Sequence, residues 1–132
     1  MIAFRPAVQN DEGFIADSWV RSYGDSRWAR DHGPGYVRSH DAAVKRLFAR
    51  AQVFVACLEA HPETIIGWAC TEPDCVHYVY VKQKFRHEGL GKKLIAPYLQ
   101  RRDVEYSHKP LYSDIKVPEG WTHNMYRFFV GG

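Results

Sequence analysis

Apolar positions along this chain change period several times, and each change predicts an element. Ile2 to Val8 reads as a strand, with Pro6 pushing it toward a sheet edge or a strand end. Asn10 or Asp11 can cap a helix that runs through Phe14, Ile15, Trp19 and Val20 and gives out near Tyr23-Gly24. A polar and aromatic stretch follows from Asp25 to Ser39, interrupted by Gly33-Pro34-Gly35. Ser39 or Asp41 then opens a second helix with Ala43, Val44, Leu47 and Phe48 as its apolar face. Gln52 to Glu59 and Thr64 to Cys70 form a hairpin about a turn at His61-Pro62-Glu63. After a turn from Thr71 to Asp74, Val76 to Val81 is almost wholly β-branched or aromatic, His77 being the exception. Leu90, Leu94 and Tyr98 return at helical spacing with Ile95 and Leu99 beside them. Pro97 costs about 3 kcal/mol inside a helix, so that helix either bends there or is shorter than its apolar pattern. Arg101-Arg102-Asp103 closes it, Pro110 to Val117 predicts one more strand, and His123 to Val130 a short aromatic helix. The order is that of a mixed α/β domain without repeats or linkers.

Composition narrows the class. At 132 residues the chain is expected to form one domain, residues 1–132, and 45% hydrophobic with 25% charged residues is ordinary for a soluble globular protein. No apolar run approaches the roughly 18 residues of a membrane span, and the N-terminus lacks a signal layout, so the expected location is cytoplasmic, with no membrane partner. Cys57, Cys70 and Cys75 show no Cys-x-x-Cys spacing and read as small buried thiols in a reducing compartment. The net charge of +3 suits an anionic cofactor; a nucleic-acid partner is not expected, because no basic-aromatic motif supports one. The seven histidines are scattered, with no His-x-x-x-His pair, so no metal is expected, and no nucleophile elbow anchors a serine triad.

The chemistry concentrates between strand and helix, at Arg86-His87-Glu88-Gly89-Leu90-Gly91. A helix start carries unpaired N–H groups and partial positive charge, and glycines let a phosphate approach the backbone. The turn is therefore either an anion cradle or a plain strand–helix connection. It is not a Walker A loop, which ends in Gly-Lys-Ser/Thr, nor the dinucleotide fingerprint Gly-x-Gly-x-x-Gly.

The whole string from Val79 to Gly91 (Val-Tyr-Val-Lys-Gln-Lys-Phe-Arg-His-Glu-Gly-Leu-Gly) resembles the acyl-CoA-binding signature of the GNAT N-acyltransferase superfamily. Arg86, Gly89 and Gly91 fill its Arg/Gln-x-x-Gly-x-Gly/Ala positions, Val79 and Val81 its strand positions, and Gln83 replaces the usual proline. The resemblance runs from Phe4-Arg5-Pro6-Ala7 to Tyr126. It implies a mixed, mostly antiparallel sheet splayed between strands 4 and 5, flanked by about four helices and shortened at its C-terminal end. It also implies acetyl-CoA as co-substrate, held by Val79, Val81, Arg86, His87, Glu88, Gly89, Leu90, Gly91 and Lys92. The Val81 N–H would meet the thioester carbonyl and the N–H groups of the turn the pyrophosphate. Family members usually add strands after the last helix, so a second subunit would complete the edge as a homodimer, or the sheet is smaller.

Acetyl transfer to an amine also needs a base for the ammonium and an acid for the leaving thiolate. His77 can accept a proton at neutral pH, and strand alternation puts it on the face of Val79 and Val81. It also resembles one of the paired histidines of the arylalkylamine N-acetyltransferases; the alternative is a half-buried structural histidine. Glu72, Asp74 and Glu119 are weaker bases. Tyr126, in Met-Tyr-Arg-Phe-Phe-Val-Gly, resembles the tyrosine of the family's terminal helix that faces the CoA sulfur, although the closing Gly-Phe is scrambled and Glu119 stands where an asparagine is usual. A core aromatic is the other reading. Lys92 and Lys93 either reach a phosphate or stay solvated. Long loops in compact domains are often functional, and Trp28, Arg30, His32 and Tyr36 of the 25–39 stretch are the candidate contacts to a small-molecule or protein amine. The expected function is acetyl transfer from acetyl-CoA to a primary amine by direct attack in a ternary complex. The alternative is a non-catalytic acyl-CoA-binding or protein-interaction module on the same fold.

Overall fold

The computed structural model describes residues 1–24, 42–108, 117–124 and 126–129. β1 (Ile2–Pro6) leads through a 3-10 turn at Gln9–Asp11 into α1 (Glu12–Gly24), and α2 spans residues 42–47. β2 (Gln52–Leu58), β3 (His61–Glu72) and β4 (Cys75–Val81) follow, then α3 (Leu90–Leu94), β5 (Glu105–Tyr106), β6 (Thr122–His123) and α4 (Tyr126–Phe129). The six strands lie in sequence order in one sheet, antiparallel from β1 to β4 and parallel from β4 to β6. Among the described residues the β4–β5 ladder stops at Cys75 and Val76 while β4 runs on to Val81. This is the mixed sheet that the sequence led us to expect.

Each face of the sheet carries its own core. Ile15, Trp19 and Tyr23 of α1, Val44 and Leu47 of α2 and Phe128 of α4 cover Val55, Trp68 and Tyr78. On the other face Leu90 and Leu94 of α3, with Ile95 and Val104, cover Ile66, Ala69, Val76 and Val81.

The boundaries differ from the pattern in ways that have local causes. β3 begins at His61, because the chain reverses at Glu59-Ala60 and the predicted His61-Pro62-Glu63 turn lies within the strand. β3 then runs on to Glu72, leaving Pro73-Asp74 as the turn. Pro97 resolves as the shorter helix: α3 stops at Leu94, Ile95 leaves helical geometry at φ −117°, and a 3-10 turn at Ala96–Tyr98 takes the proline near its start. A proline ring at 97 would meet the carbonyl four residues back, which is why the α-helix ends first. The predicted strand from 110 to 117 lies, up to residue 116, outside the described residues. His123 belongs to β6, and the last helix starts only at Tyr126.

The start of α1 is held electrostatically. Both guanidinium NH2 groups of Arg5 donate to the carboxylate of buried Asp11, at 2.7 and 3.1 Å, and the Val8 N–H donates to it at 2.8 Å. The hydrogen bond from Arg5 holds the Asp11 carboxyl below its ordinary range, against the opposing effect of burial. Because the folded value is depressed, the stabilisation is complete above about pH 4, the unfolded value, and is lost as pH falls through the folded one. Asp11→Ala is expected to cost about 2 kcal/mol at pH 7, and urea unfolding at pH 7 and pH 3 should show that cost shrinking in acid. An equal cost at both values would contradict this assignment.

Candidate active site

The opening between β4 and β5 has a defined lining. The Lys82 N–H donates to the Ile66 carbonyl on β3 at 2.8 Å. Backbone groups alternate in direction along a strand, so those of Val81, and two residues back those of Val79, point away from β3 toward the parting. The Val81 side chain is meanwhile buried beneath α3. Val81 lies opposite Gly67, where a Cβ would come within 2.8 Å of the Tyr80 carbonyl oxygen. Backbone atoms cannot yield as a side-chain tip does. Gly67→Ala is expected to cost about 1–3 kcal/mol in urea unfolding, as overpacking does; an unchanged midpoint would show that β4 moves freely here.

Beyond Val81 the chain makes a 3-10 turn at Gln83–Phe85, and Arg86 returns to extended geometry. Its Nε donates to the Val81 carbonyl at 2.7 Å, so the arginine also ties the turn to the end of β4. His87 and Gly89 both adopt positive φ, 69° and 79°, which folds the backbone into a concave turn before α3. The first helical bond runs from the Lys93 N–H to the Gly89 carbonyl. The N–H groups of Leu90, Gly91 and Lys92 thus precede the helical ladder. Leu90 and Leu94 are buried and fix the orientation of the turn, whereas Lys92 and Lys93 are exposed. Lys82, at the other end of the turn, lies 5.3 Å above the Phe14 ring of α1.

Solved structures resemble this architecture. Apo YjaB from Escherichia coli matches with a TM-score of 0.57 and 18% identity, covering 76% of this chain and 65% of that one. A possible acetyltransferase from Clostridium difficile 630 matches at 0.56 and 15%, covering 80% and 76%. The GCN5-related N-acetyltransferase (aminotransferase, class II) from Rhodopseudomonas palustris matches at 0.50 and 22%, covering 72% and 61%. The chain has the GNAT fold. It spans 65% and 61% of the lengths of the E. coli and R. palustris proteins. No protein-family model and no curated protein sequence matches it.

Within this GNAT fold, the predicted residues fall into three groups. Val79, Val81 and Arg86 to Lys92 are contiguous around the mouth of the parting. Trp28, Arg30, His32 and Tyr36 lie outside the described residues, as does the side chain of Tyr126, whose backbone opens α4.

His77 is placed differently from the expectation. Cys70 opposes Tyr78 but Thr71 opposes Val76, which leaves His77 as the extra residue of a β-bulge. The bulge breaks the alternation that would put His77 on the face of Val79 and Val81. Its ring is instead 6.4 Å from Phe128, on the opposite core face, and fully buried. His77 Nε2 is 2.7 Å from Glu72 Oε1 and Nδ1 is 2.7 Å from Ser107 Oγ, whose hydroxyl is also 2.9 Å from Nδ1 of His108. Burial lowers the His77 pKa against the raising effect of Glu72, favouring the neutral ring. Ser107 and His108 carry no local sequence signal, standing thirty and more residues from His77 just past a two-residue strand. Burial pushes the Cys75 thiol up to about 12 and Cys70 also upward, leaving both as unreactive thiols. Among the described residues no three His, Cys, Asp or Glu side chains converge so as to hold a metal, and no helix is long and apolar enough to cross a membrane.

Proposed function

We propose that the protein is an N-acetyltransferase that moves the acetyl group of acetyl-CoA to a primary amine by direct attack in a ternary complex. The observation that carries this reading is the parting of β4 and β5, toward which the backbone groups of Val79 and Val81 point, with the Arg86–Gly91 turn at its mouth. The Val81 carbonyl already accepts from Arg86, and the Val81 N–H and the Val79 groups turned toward the parting are chemically suited to the amides of an extended pantetheine arm. The N–H groups of Leu90, Gly91 and Lys92 would take the pyrophosphate. The Val81 N–H would polarise the thioester carbonyl, an electrostatic role that grows as negative charge develops on oxygen. Tyr126 is the proposed acid for the CoA thiolate. The acceptor is a small-molecule or protein amine contacting the 25–39 segment, and three buried thiols suit a reducing, cytoplasmic setting.

The test is release of free CoA thiol from acetyl-CoA in the presence of spermidine, a lysine-containing peptide or an alanine-ended peptide. Amine-dependent release that collapses in Tyr126→Phe, with acetyl-CoA binding retained, is the expected result. Tight binding with no release for any amine would favour an acyl-CoA-binding module over an enzyme.

A further inference from the structure

α4 has four residues, and a helix of one turn does not fix its own direction. Side chains anchored on other elements do so instead. Arg127, on α4, donates from Nη1 to Oε1 of Glu105 on β5 at 2.6 Å and from Nη2 to Oδ1 of Asp74, in the turn before β4, at 2.7 Å. Glu72, at the end of β3, is 3.7 Å from the same guanidinium. Glu105 and Asp74 flank the first β4–β5 pair: Glu105 lies opposite Cys75, and its N–H donates to the Asp74 carbonyl at 2.9 Å. Arg50 closes the other end of α4, donating to the carbonyl oxygens of Arg127 and Phe128 at 2.7 and 3.2 Å, while its Nε lies 3.4 Å from Glu72. Asn124, just before α4, donates from its amide to Glu105 at 2.9 Å and from its backbone N–H to the Tyr106 carbonyl at 2.9 Å. Phe128 is buried beside Trp19 and His108, its ring 5.3 and 4.5 Å from theirs.

Consecutive helical residues stand about 100° apart around the axis. Phe128 in the core and Arg127 on its carboxylates therefore fix two bearings, and the backbone at residue 126 has no rotation left. We infer that Arg127 is a positioning residue for acetyl transfer, fixing the α4 backbone on the β4–β5 junction and with it the place of Tyr126. The inference rests on the proposed reading of the protein as an N-acetyltransferase with Tyr126 as its acid. Arg50 supports the same helix from behind by capping its last carbonyls, which a helix leaves without partners of its own.

This ion cluster suits orientation better than stability. The side chains of Arg127 and Glu72 are 14% and 10% exposed, so lost hydration offsets much of the attraction and the net stability gained is small. A planar guanidinium adds direction instead. Its donors lie in one plane at fixed angles, and carboxylates from β5 and from the β3–β4 turn meet two of them at once. An apolar contact in the same place would let α4 slide. The hydrogen bond from Arg127 holds the Asp74 carboxyl below its ordinary range, and at Glu105 the Asn124 amide does so first and Arg127 second. Both carboxylates are therefore charged at neutral pH, and the clamp is closed there.

The experiment is a double-mutant cycle between Arg127→Gln and Tyr126→Phe, read as kcat and KM with whichever of the three probe amines is acetylated fastest. Each single variant is expected to lose about 100-fold in kcat, the ordinary cost of a displaced or missing proton donor, with the KM for acetyl-CoA unchanged. The double variant should be no slower than Tyr126→Phe alone, because Arg127 acts only through Tyr126. Arg127→Lys keeps the charge without the planar fork and should recover part of the loss. Should Arg127→Gln fail to fold, Glu105→Gln gives the same test, since it leaves Arg127 its bond to Asp74. A smaller loss in kcat is expected there, and it too should vanish in the Tyr126→Phe background. Losses that multiply in the double variant would overturn the inference, because a merely structural arginine lowers kcat whether or not the acid is present. So would an unchanged kcat in Arg127→Gln, or a loss confined to the KM for acetyl-CoA. Full activity of Tyr126→Phe, or no acetylation of any probe by wild type, would instead remove the reading on which the inference rests, and the inference with it.

Discussion

Gly89→Glu is expected to weaken acetyl-CoA binding by at least about 100-fold, or about 2.7 kcal/mol, while the protein stays folded. Gly89 holds φ at 79° immediately before α3, and a Cβ added there would have no described atom within 4 Å. The substitution therefore acts through two physical routes. A residue other than glycine costs about 1–2 kcal/mol in the left-handed region, so the turn relaxes away from its concave shape. The new carboxylate also projects into the space proposed for the pyrophosphate and repels it. Gly89→Asn separates the routes, because asparagine tolerates positive φ and is neutral; it should retain binding within about tenfold, one step of about 1.4 kcal/mol. Calorimetric titration of both variants, with thermal melting as a check on folding, measures this. Undiminished binding by Gly89→Glu would remove the turn from the account.

The largest effect on stability belongs to Trp19. It is completely buried on α1, stacked at 5.3 Å and 5° on Tyr78 of β4, and each of Trp68 and Phe128 lies 5.3 Å away at a tilt. Its ring therefore joins α1, the middle of the sheet and α4, and also flanks His108 at 5.1 Å. Trp19→Ala should cost about 3–5 kcal/mol in urea unfolding, through lost burial and the cavity left among four rings. Trp19→Phe keeps the aromatic contact and should cost clearly less. Equal losses in the two variants would mean that filling the site with a smaller ring recovers nothing, which would contradict the cavity account.

The comparison of sequence with structure divides along the range of the interactions. β4, the Arg86–Gly91 turn and the start of α3 were legible because strand propensity, glycine position and helical spacing act within a few residues. The end of α3 was legible as one of two outcomes, since Pro97 dictates a break without saying on which side of Ile95 it falls. Two-residue strands such as β5 and β6 offer no period to read, and their pairing depends on distant partners. His77 was found, but its facing was not: alternation assumes an unbroken ladder, and the extra residue in β4 arises from its register with Cys70 and Thr71 of β3. The surroundings of His77 are set by tertiary contact, Ser107 coming from beyond β5 and Arg127, which pairs with Glu72, from α4.

The turn and the parting are proposed to receive acetyl-CoA. Calorimetric titration of the purified wild-type protein with acetyl-CoA, with free CoA and with an adenine dinucleotide as control tests it most directly. Micromolar binding of both CoA species without binding of the control is the predicted result. Absence of binding by either CoA species would contradict it, returning Arg86–Gly91 to an ordinary strand–helix connection.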